Sequence, residues 1–320
     1  MRRRAGCLHN PPSVTHRMKD LDTMDTPLDG ASVPGSACAP NRREAMKRAA
    51  SVGVGLGFAA AVLPVQAQTV IQTTAEGLQA GWVSIDVAGF AMRAYRAAPA
   101  GRSNLPVVMV VPEIFGVHEH ICDVTRRLAH QGYLAIAPDL MQRQGDPSTI
   151  GEVAKIISEV VSKVPDTQVM QDLDATFDWA TRNGGDVKRV AITGFCWGGR
   201  IVWMYAARQT RLRAAAAWYG QVNGKRGPLT PTQPVDLMRD LHAPTLGLYG
   251  GADTGIPMEH VEMMRAALQS RSDAAQDSLI HVYPGVPHAF HADYRPSYRK
   301  EAAQDAWARM LSWFRQYGAV

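Results

Sequence analysis

Two patterns of apolar positions alternate along the chain from residue 82 onward. Apolar runs, and runs that are apolar at every second position, predict strands, whereas apolar positions three and four apart predict helices. The predicted strands are 82–87, 90–96, 106–111, 133–138, 189–193, 214–219, 245–249 and 279–283. The predicted helices are 123–131, 151–164, 167–182, 200–208, 258–270 and 297–317.

This alternation predicts an α/β fold with a mostly parallel sheet and helices on both faces. The runs 106–111 and 133–138 contain almost no polar position, which is typical of strands that are buried on both sides. Neither an internal repeat nor a change of composition follows residue 67. We therefore expect one domain over residues 68–320.

Charge is unevenly distributed. The whole chain carries a formal net charge of +5, but residues 1–67 contain nine Lys and Arg against five Asp and Glu. The remaining residues contain 25 basic and 24 acidic side chains, so they are close to neutral. Because no basic stripe interleaved with aromatic residues occurs in this part, nucleic-acid binding is not expected.

The basic N-terminal region resembles an export signal. Residues 41–47 contain Arg42-Arg43, as in a twin-arginine motif, and a mildly apolar run follows at 49–63. This run is shorter than the roughly 20 residues of an ordinary transmembrane span. Val65-Gln66-Ala67 then matches a small-x-small cleavage site.

Residues 1–67 are therefore expected to be a disordered N-terminus followed by a signal that is cleaved between Ala67 and Gln68. The expected location is periplasmic or exported, without stable membrane association after cleavage. An uncleaved tail or an N-terminal membrane anchor is the alternative, and Met18 and Met24 are alternative start positions.

The segment Gly194-Phe195-Cys196-Trp197-Gly198-Gly199 lies between a predicted strand and a predicted helix. This arrangement predicts a nucleophile elbow, in which a tight turn lifts the nucleophile above the sheet. Cys196 stands where Ser is usual, and the helix N-terminus favours its thiolate. The backbone N–H of Trp197 is the expected first oxyanion donor. A small buried cysteine in an ordinary turn is the alternative.

An acid and a base follow the elbow in the order expected for this kind of site. Asp253 comes directly after the strand 245–249, and His288 lies in a Gly/Pro-rich loop after the last strand. His291 is the close alternative to His288. Asp236 and Asp240 are the alternatives to Asp253, but they are remote from any strand end.

Glu113 ends the apolar strand 106–111, so its carboxylate is expected at the same edge of the sheet. There it can hydrogen-bond the thiol and influence its ionisation. The N–H of Ile114 is the expected second oxyanion donor. An ordinary charge at a helix N-terminus is the alternative for Glu113.

Metal binding is not expected at His118-Glu119-His120 and Cys122, because this alternating spacing scatters the side chains. After the expected cleavage only Cys122 and Cys196 remain. A disulfide between them would remove the nucleophilic thiol of Cys196, and this disulfide remains an alternative.

Five motifs in order resemble the dienelactone hydrolase (carboxymethylenebutenolidase) family. They are Pro112-Glu113-Ile114-Phe115-Gly116, Ala137-Pro138-Asp139-Leu140, the elbow, Gly250-Gly251-Ala252-Asp253 and His288-Ala289-Phe290. The resemblance implies the α/β-hydrolase fold and a triad of Cys196, His288 and Asp253, with Glu113 activating the thiol. It also implies hydrolysis of an enol-lactone through an acyl-enzyme, without a cofactor.

Two arginines that bind the dienelactone carboxylate in the founding enzymes have no equivalent here. The helical stretch before residue 172 offers only Lys155 and Lys163, and Ala292 stands four residues after His288, with Arg295 three further on. We therefore expect a lactone or activated ester as substrate, with Tyr219, Arg295 and Lys155 as candidate contacts. An exported esterase or thioesterase of unrelated substrate, or a non-catalytic binding protein on the same fold, is the alternative.

Overall fold

Eight strands form one sheet in the computed structural model, which describes residues 70–269 and 272–320. They are β1 (Leu78–Val87), β2 (Phe90–Pro99), β3 (Leu105–Val111), β4 (Leu134–Pro138), β5 (Gly185–Phe195), β6 (Ala214–Trp218), β7 (Thr245–Gly250) and β8 (Leu279–Tyr283). The strand order is β1-β2-β4-β3-β5-β6-β7-β8. β1 and β2 are antiparallel to each other, β2 is antiparallel to β4, and every other pair is parallel.

Five longer helices connect and cover these strands. They are α1 (Glu119–His130), α2 (Asp166–Arg182), α3 (Trp197–Ala206), α4 (Met258–Leu268) and α5 (Lys300–Gln316). Shorter helical pieces span Pro147–Thr149, Val153–Lys155, Ile156–Val160, Val161–Lys163, Pro234–Asp240 and Asp273–Gln276. Within the described residues, none of the helices is long and apolar enough to cross a membrane.

The helices lie on both faces of the sheet. The connection through α1 runs from β3 to β4, whereas the connection through α3 runs from β5 to β6 in the opposite direction along the sheet. Because such crossovers are right-handed, opposite directions place their helices on opposite faces. Every residue of β4, β6 and β7 is buried between the two layers. The predicted α/β-hydrolase fold is confirmed.

One predicted helix is wrong as a continuous element. Residues 151–164 form three short pieces with α, π and 3₁₀ geometry instead. Two causes are visible in the sequence. The β-branched residues of Ile156–Val160 and its surroundings crowd the preceding turn of a helix. Pro165 then forces the residue before it, Val164, out of the helical region, to φ −87° and ψ 112°.

Several helices and strands begin or end at residues other than those predicted. β5 begins at Gly185, which pairs with Leu105, and not at the predicted residue 189; Gly184, with φ 105°, lies between this strand and the end of α2. α3 begins at Trp197 rather than at residue 200, directly after the elbow cysteine. β1 and β2 extend to Leu78 and Pro99, where their antiparallel pairing ends.

The residues that precede β1 are held on α1. The Thr73 N–H donates to the Asp123 carboxylate, and Nε of Arg126 donates to the Thr73 carbonyl at 2.8 Å. Nε2 of His130 lies 2.9 Å from the Thr74 carbonyl oxygen. The expected export signal in residues 1–67 lies outside the described residues.

Candidate active site

Cys196 occupies the turn between β5 and α3 in an uncommon backbone conformation. Its φ is 57° and its ψ is −115°. Its N–H donates to the Trp218 carbonyl at 3.0 Å, which ties the turn to the end of β6. Strained residues of this kind persist where the surrounding structure over-determines them, and they cluster at functional sites.

Glycines around Cys196 allow three chain segments to meet. A Cβ on Gly198 would lie 2.4 Å from the Val111 carbonyl oxygen and 2.6 Å from that of Pro112. A Cβ on Gly199 would lie 2.5 Å from the Trp218 carbonyl oxygen. No real side chain fits at such distances, so the elbow requires glycine at both positions. The close approach brings the elbow against the residues that precede Glu113 and Ile114.

Asp253 and His288 meet at the same edge of the sheet. They follow β7 and β8, which are neighbouring parallel strands. Nδ1 of His288 lies 2.7 Å from Oδ2 of Asp253, and both side chains are buried. The other carboxylate oxygen of Asp253 accepts hydrogen bonds from the N–H groups of Gly255 and Ile256, at 2.8 and 3.1 Å. These bonds fix the carboxylate, which in turn orients the imidazole.

The electrostatics of His288 depend on the elbow cysteine. Burial favours the neutral imidazole, but negative charge at Cys196 and hydrogen bonds with Asp253 and Cys196 raise the pKa of His288 to about 10. Because Nδ1 faces Asp253, Nε2 is the ring nitrogen left to interact with Cys196. The arrangement can therefore hold a thiolate beside an imidazolium.

Two backbone N–H groups beside the elbow are available to a ligand. Neither Ile114 nor Trp197 donates its N–H to an acceptor among the described residues. Trp197 is the first residue of α3, where an N–H has no partner within the helix. Ile114 follows the β3 end against which the elbow packs. Such amides suit a developing oxyanion.

Glu113 is buried, and three side chains converge on one of its oxygens. Oη of Tyr294 donates to Oε2 at 2.5 Å, Nε2 of His118 lies at 3.5 Å and Nη2 of Arg295 lies at 3.7 Å. The other oxygen, Oε1, is buried and has no hydrogen-bond partner within residues 70–269 and 272–320. One oxygen is thus held and the other remains available.

Glu113 is ionised in this environment. Burial alone would raise the pKa of its carboxyl group, but the positive charge of Arg295, followed by the hydrogen bond with His118, holds that pKa well below its usual range. Burial lowers the pKa of His118 in turn, which favours its neutral ring. The carboxylate is therefore balanced mainly by one guanidinium.

Two of the three candidate substrate contacts lie at this site. The Tyr219 ring is 5.1 Å from the His288 ring, edge to face, and its hydroxyl is buried without a hydrogen-bond partner in the described part of the chain. Tyr219 also has a positive φ of 38°. Arg295 packs its guanidinium on Phe115, at 4.5 Å from the ring centre, and beside Glu113.

Lys155 is not brought to the site. Its side chain is exposed on the short helical segment Val153–Lys155, and its Nζ lies 2.8 Å from a Glu152 carboxylate oxygen. The predicted helix 151–164 is divided into short pieces at this point, and the side chain of Lys155 points to solvent. The expectation of a substrate contact at Lys155 has no support in this geometry.

The alternatives to the proposed acid and base lie elsewhere. The ring of His291 stacks between Phe195 and Trp307, behind the elbow, while Asp253 pairs with His288. Asp236 binds Arg226 and the Gln233 N–H. Cys122 and Cys196 are both free thiols, so they form no disulfide in this structure.

Tyr294 and His118 were not identified from the sequence as partners of Glu113. In the sequence, His118 stands out only as part of the His118-Glu119-His120 metal-like spacing. Its imidazole instead points to Glu113, and His120 lies 3.3 Å from an Asp293 carboxylate oxygen. A weak signal existed for Tyr294, since it shares the loop of His288 and directly precedes Arg295.

The family model described as "Dienelactone hydrolase family" matches residues 92–318. This match covers most of the chain and includes Glu113, Cys196, Asp253 and His288. The chain belongs to the dienelactone hydrolase family. It is accordingly a hydrolase of esters or lactones.

Individual relatives agree with this assignment. A protein of Escherichia coli K12 named "Putative carboxymethylenebutenolidase" is 55% identical over 263 residues, which cover 82% of this chain and 96% of that protein. A protein of Methylorubrum extorquens with the same name is 54% identical over 271 residues, covering 84% of this chain and 92% of that one. The crystal structure of a "Putative Dienelactone Hydrolase" from Klebsiella pneumoniae has 54% identity and a TM-score of 0.72, covering 75% of this chain and 99% of that one.

Proposed function

We propose that this dienelactone hydrolase family member is a cysteine-nucleophile hydrolase of lactones or activated esters. Cys196 is the nucleophile, His288 its proton acceptor and Asp253 the residue that orients His288. The proposal depends on the 2.7 Å contact between Nδ1 of His288 and Oδ2 of Asp253. The same imidazole ring also interacts with Cys196. This is the arrangement of an activated nucleophile.

The first step forms a thioester. The Cys196 sulfur attacks the carbonyl carbon, and the resulting oxyanion is stabilised by the N–H groups of Trp197 and Ile114. The tetrahedral intermediate collapses when its carbon–oxygen bond breaks, and the imidazolium of His288 gives its proton to the leaving oxygen. In a lactone this oxygen stays on the same molecule, so the ring opens while the acyl group remains on sulfur.

The second step consumes water. Once the sulfur is acylated, the charge at Cys196 that raised the pKa of His288 is gone, whereas the burial that lowers it remains. The neutral imidazole can then take a proton from water, and the hydroxide formed attacks the thioester carbon. The carbon–sulfur bond breaks, which releases the carboxylic acid and restores the thiolate beside the imidazolium.

Glu113 has a supporting role in this proposal. Its lowered pKa makes it a weak base, so the proton of the thiol rests on His288 rather than on Glu113. The unpartnered Oε1 is suited to accept a hydrogen bond from the S–H group whenever the Cys196 thiol is protonated. Glu113→Gln keeps an oxygen acceptor there, so we expect a loss of kcat/KM far smaller than that caused by removing His288.

The substrate class follows from the nucleophile and from the local charge. A thiolate is also a good leaving group, so it suits enol, aryl and thiol esters better than amides. Arg295 is already balanced by Glu113, which leaves no surplus positive charge for a substrate carboxylate in this pair. The site therefore suits an uncharged acyl group, although the named relatives are called carboxymethylenebutenolidases.

The decisive experiment measures turnover of a p-nitrophenyl ester and of an uncharged enol-lactone. We expect Cys196→Ala to lower kcat by about 10⁶-fold, as loss of a nucleophile does in other acyl-transfer enzymes. Trapping the wild-type acyl-enzyme by acid quench and mass spectrometry should add the acyl mass to the peptide that contains Cys196. No difference between wild type and Cys196→Ala on either substrate would indicate a non-catalytic binding protein instead.

We also infer export through the twin-arginine pathway, from Arg42-Arg43 and the Val65-Gln66-Ala67 sequence. A pathway that transports folded proteins suits an enzyme whose thiol must stay free. Mass spectrometry of the protein in the periplasmic fraction should find an N-terminus at Gln68. A full-length chain retained in the membrane fraction would contradict cleavage.

A further inference from the structure

A cavity of about 180 Å³ lies between α1 and α5, behind the elbow. It does not include Cys196 or any of the residues that the proposed reaction uses. Its lining includes Arg127 from α1, Ala303 and Trp307 from α5, and His291 and Tyr298 from the loop between β8 and α5. Aromatic rings thus contribute much of the wall.

His291 is the imidazole of this lining. The residue is only 3% exposed, and its Nδ1 is fully buried without a hydrogen-bond partner among the described residues. Nε2 makes no hydrogen bond to the described residues and is not fully buried, so it is the ring nitrogen that a ligand in the cavity can reach. Burial, together with the nearby His120 and Arg127, lowers the pKa of His291 well below its usual range, so the ring is neutral. A neutral imidazole offers one N–H donor and one nitrogen acceptor.

The rings beside the cavity form a stack. The His291 ring lies 5.1 Å from Phe195 with an angle of 22° between the planes, and 5.7 Å from Trp307 with an angle of 16°. A planar molecule that enters the cavity therefore meets an aromatic wall. Flat apolar rings pack favourably on such surfaces in offset or edge-to-face arrangements.

The one cation of the lining is already neutralised. Nε of Arg127 lies 2.5 Å from an Asp123 carboxylate oxygen, and its Nη2 lies 2.6 Å from one of Asp293. Two carboxylates beside one guanidinium leave no excess positive charge for an anionic ligand. An uncharged occupant is favoured.

We propose that this cavity binds a neutral monocyclic aromatic alcohol, that is, a phenol. A cavity of roughly 150 Å³ is known to hold benzene, so one six-membered ring fits the volume. A hydroxyl group can both donate and accept, so it satisfies His291 in either tautomer of the imidazole. The ring of the ligand would pack beside Trp307. This site is separate from the proposed catalytic centre.

The test uses 4-fluorophenol, followed by fluorine NMR, on the full chain after alkylation of Cys196 with iodoacetamide. Alkylation blocks the catalytic centre, so binding there does not contribute, and the result is independent of any hydrolase activity. We expect saturable broadening and shift of the fluorine signal. We expect 4-fluorotoluene, which lacks the hydroxyl group, to bind about five- to tenfold more weakly, the effect of one hydrogen bond.

Variants locate the binding. Ala303→Leu fills the cavity from α5 and should abolish the saturable signal, whereas Ala308→Leu makes the same change on an exposed position of that helix and should leave it intact. Gln304→Trp, at the exposed rim, should also block entry without disturbing the core. The proposal is overturned if the alkylated protein gives no saturable signal, if both filling variants bind like the wild type, or if 4-fluorotoluene binds as tightly as 4-fluorophenol.

Discussion

Oη of Tyr294 lies 2.5 Å from Oε2 of Glu113, although 181 positions separate the two residues in the chain. The hydrogen bond joins the loop after β8 to the end of β3. It occupies the carboxylate oxygen that Arg295 and His118 also approach, and it leaves Oε1 as the oxygen without a partner among the described residues. The orientation of Glu113 thus depends on a loop that also carries His288.

Tyr294→Phe tests this dependence. Glu113 has a lowered pKa, so its ionised form persists as the pH falls. Loss of a donor to the carboxylate raises that pKa, because burial is then less well offset. We expect the acid limb of the kcat/KM profile to move to higher pH while the alkaline limb stays in place. Tyr298→Phe is the matched control, and identical acid limbs in all three proteins would contradict the role of Tyr294.

Alkylation distinguishes the two cysteines of the domain. Burial, followed by the charge of Glu119, raises the pKa of the Cys122 thiol to about 12, so it is almost entirely protonated at neutral pH. Cys196 lies at a helix N-terminus beside His288 and should react first. We expect one carboxamidomethyl group within residues 68–320 at pH 7, on the peptide with Cys196, and complete loss of esterase activity. Cys122→Ala should retain both the labelling and the activity.

His288 provides a spectroscopic test of the coupled pair. Its pKa is raised to about 10, with negative charge at Cys196 as the largest raising cause. Cys196→Ala removes that charge but not the burial, so the pKa of His288 should fall toward its ordinary value near 6.5. Titration of ¹⁵N-labelled histidine by NMR measures the change. An unchanged high pKa in Cys196→Ala would assign the shift to Asp253 alone.

Asp253→Asn tests the orientation of the imidazole. The carboxylate accepts hydrogen bonds on both of its oxygens, from Nδ1 of His288 and from two backbone N–H groups, whereas an amide has only one oxygen acceptor. The substitution therefore no longer favours the tautomer of His288 that carries its proton on Nδ1. In a comparable triad this change lowers kcat by about 10⁴-fold. We expect a loss of similar size in esterase turnover and little change in melting temperature. A decrease of less than tenfold would remove Asp253 from the catalytic set.

Gly198→Ala tests the close packing of the elbow. The new methyl group would lie 2.4 Å from the Val111 carbonyl oxygen, so backbone must move. We expect a destabilisation of about 1–3 kcal/mol or more, as overpacking produces, measured by thermal unfolding. Gly151→Ala, where nothing lies within 4 Å of the added carbon, is the control and should leave the melting temperature unchanged.

The central part of the fold could be predicted from the sequence because its strands are apolar without interruption. β8 was predicted with its observed bounds, and β3 and β6 to within one residue. The segment 151–164 could not be predicted well, because its apolar periodicity resembles a helix while its β-branched residues and Pro165 oppose one. Periodicity reports which side is buried, and it does not report local backbone strain.

Some residues of the candidate site could be predicted from the sequence and others could not. Cys196, Asp253, His288 and Glu113 directly follow strands or their loops, so the parallel sheet alone brings them to one edge. Tyr294 and His118 meet Glu113 through side-chain directions in two loops, which no spacing rule specifies. Only its charge, in a stretch expected to be one helix, indicates Lys155 as a substrate contact, and its side chain lies in solvent beside Glu152.

The hydrogen bonds that hold Thr73 and Thr74 on α1 limit how the domain can be attached to anything before it. Only nine residues separate Leu63, the end of the apolar run, from Thr73, and an extended chain of that length spans roughly 30 Å. An uncleaved leader anchored in a bilayer would therefore be a short tether rather than a long stalk. It would keep α1 close to the lipid surface and would restrict the rotation of the whole enzyme, whereas cleavage would release it to diffuse.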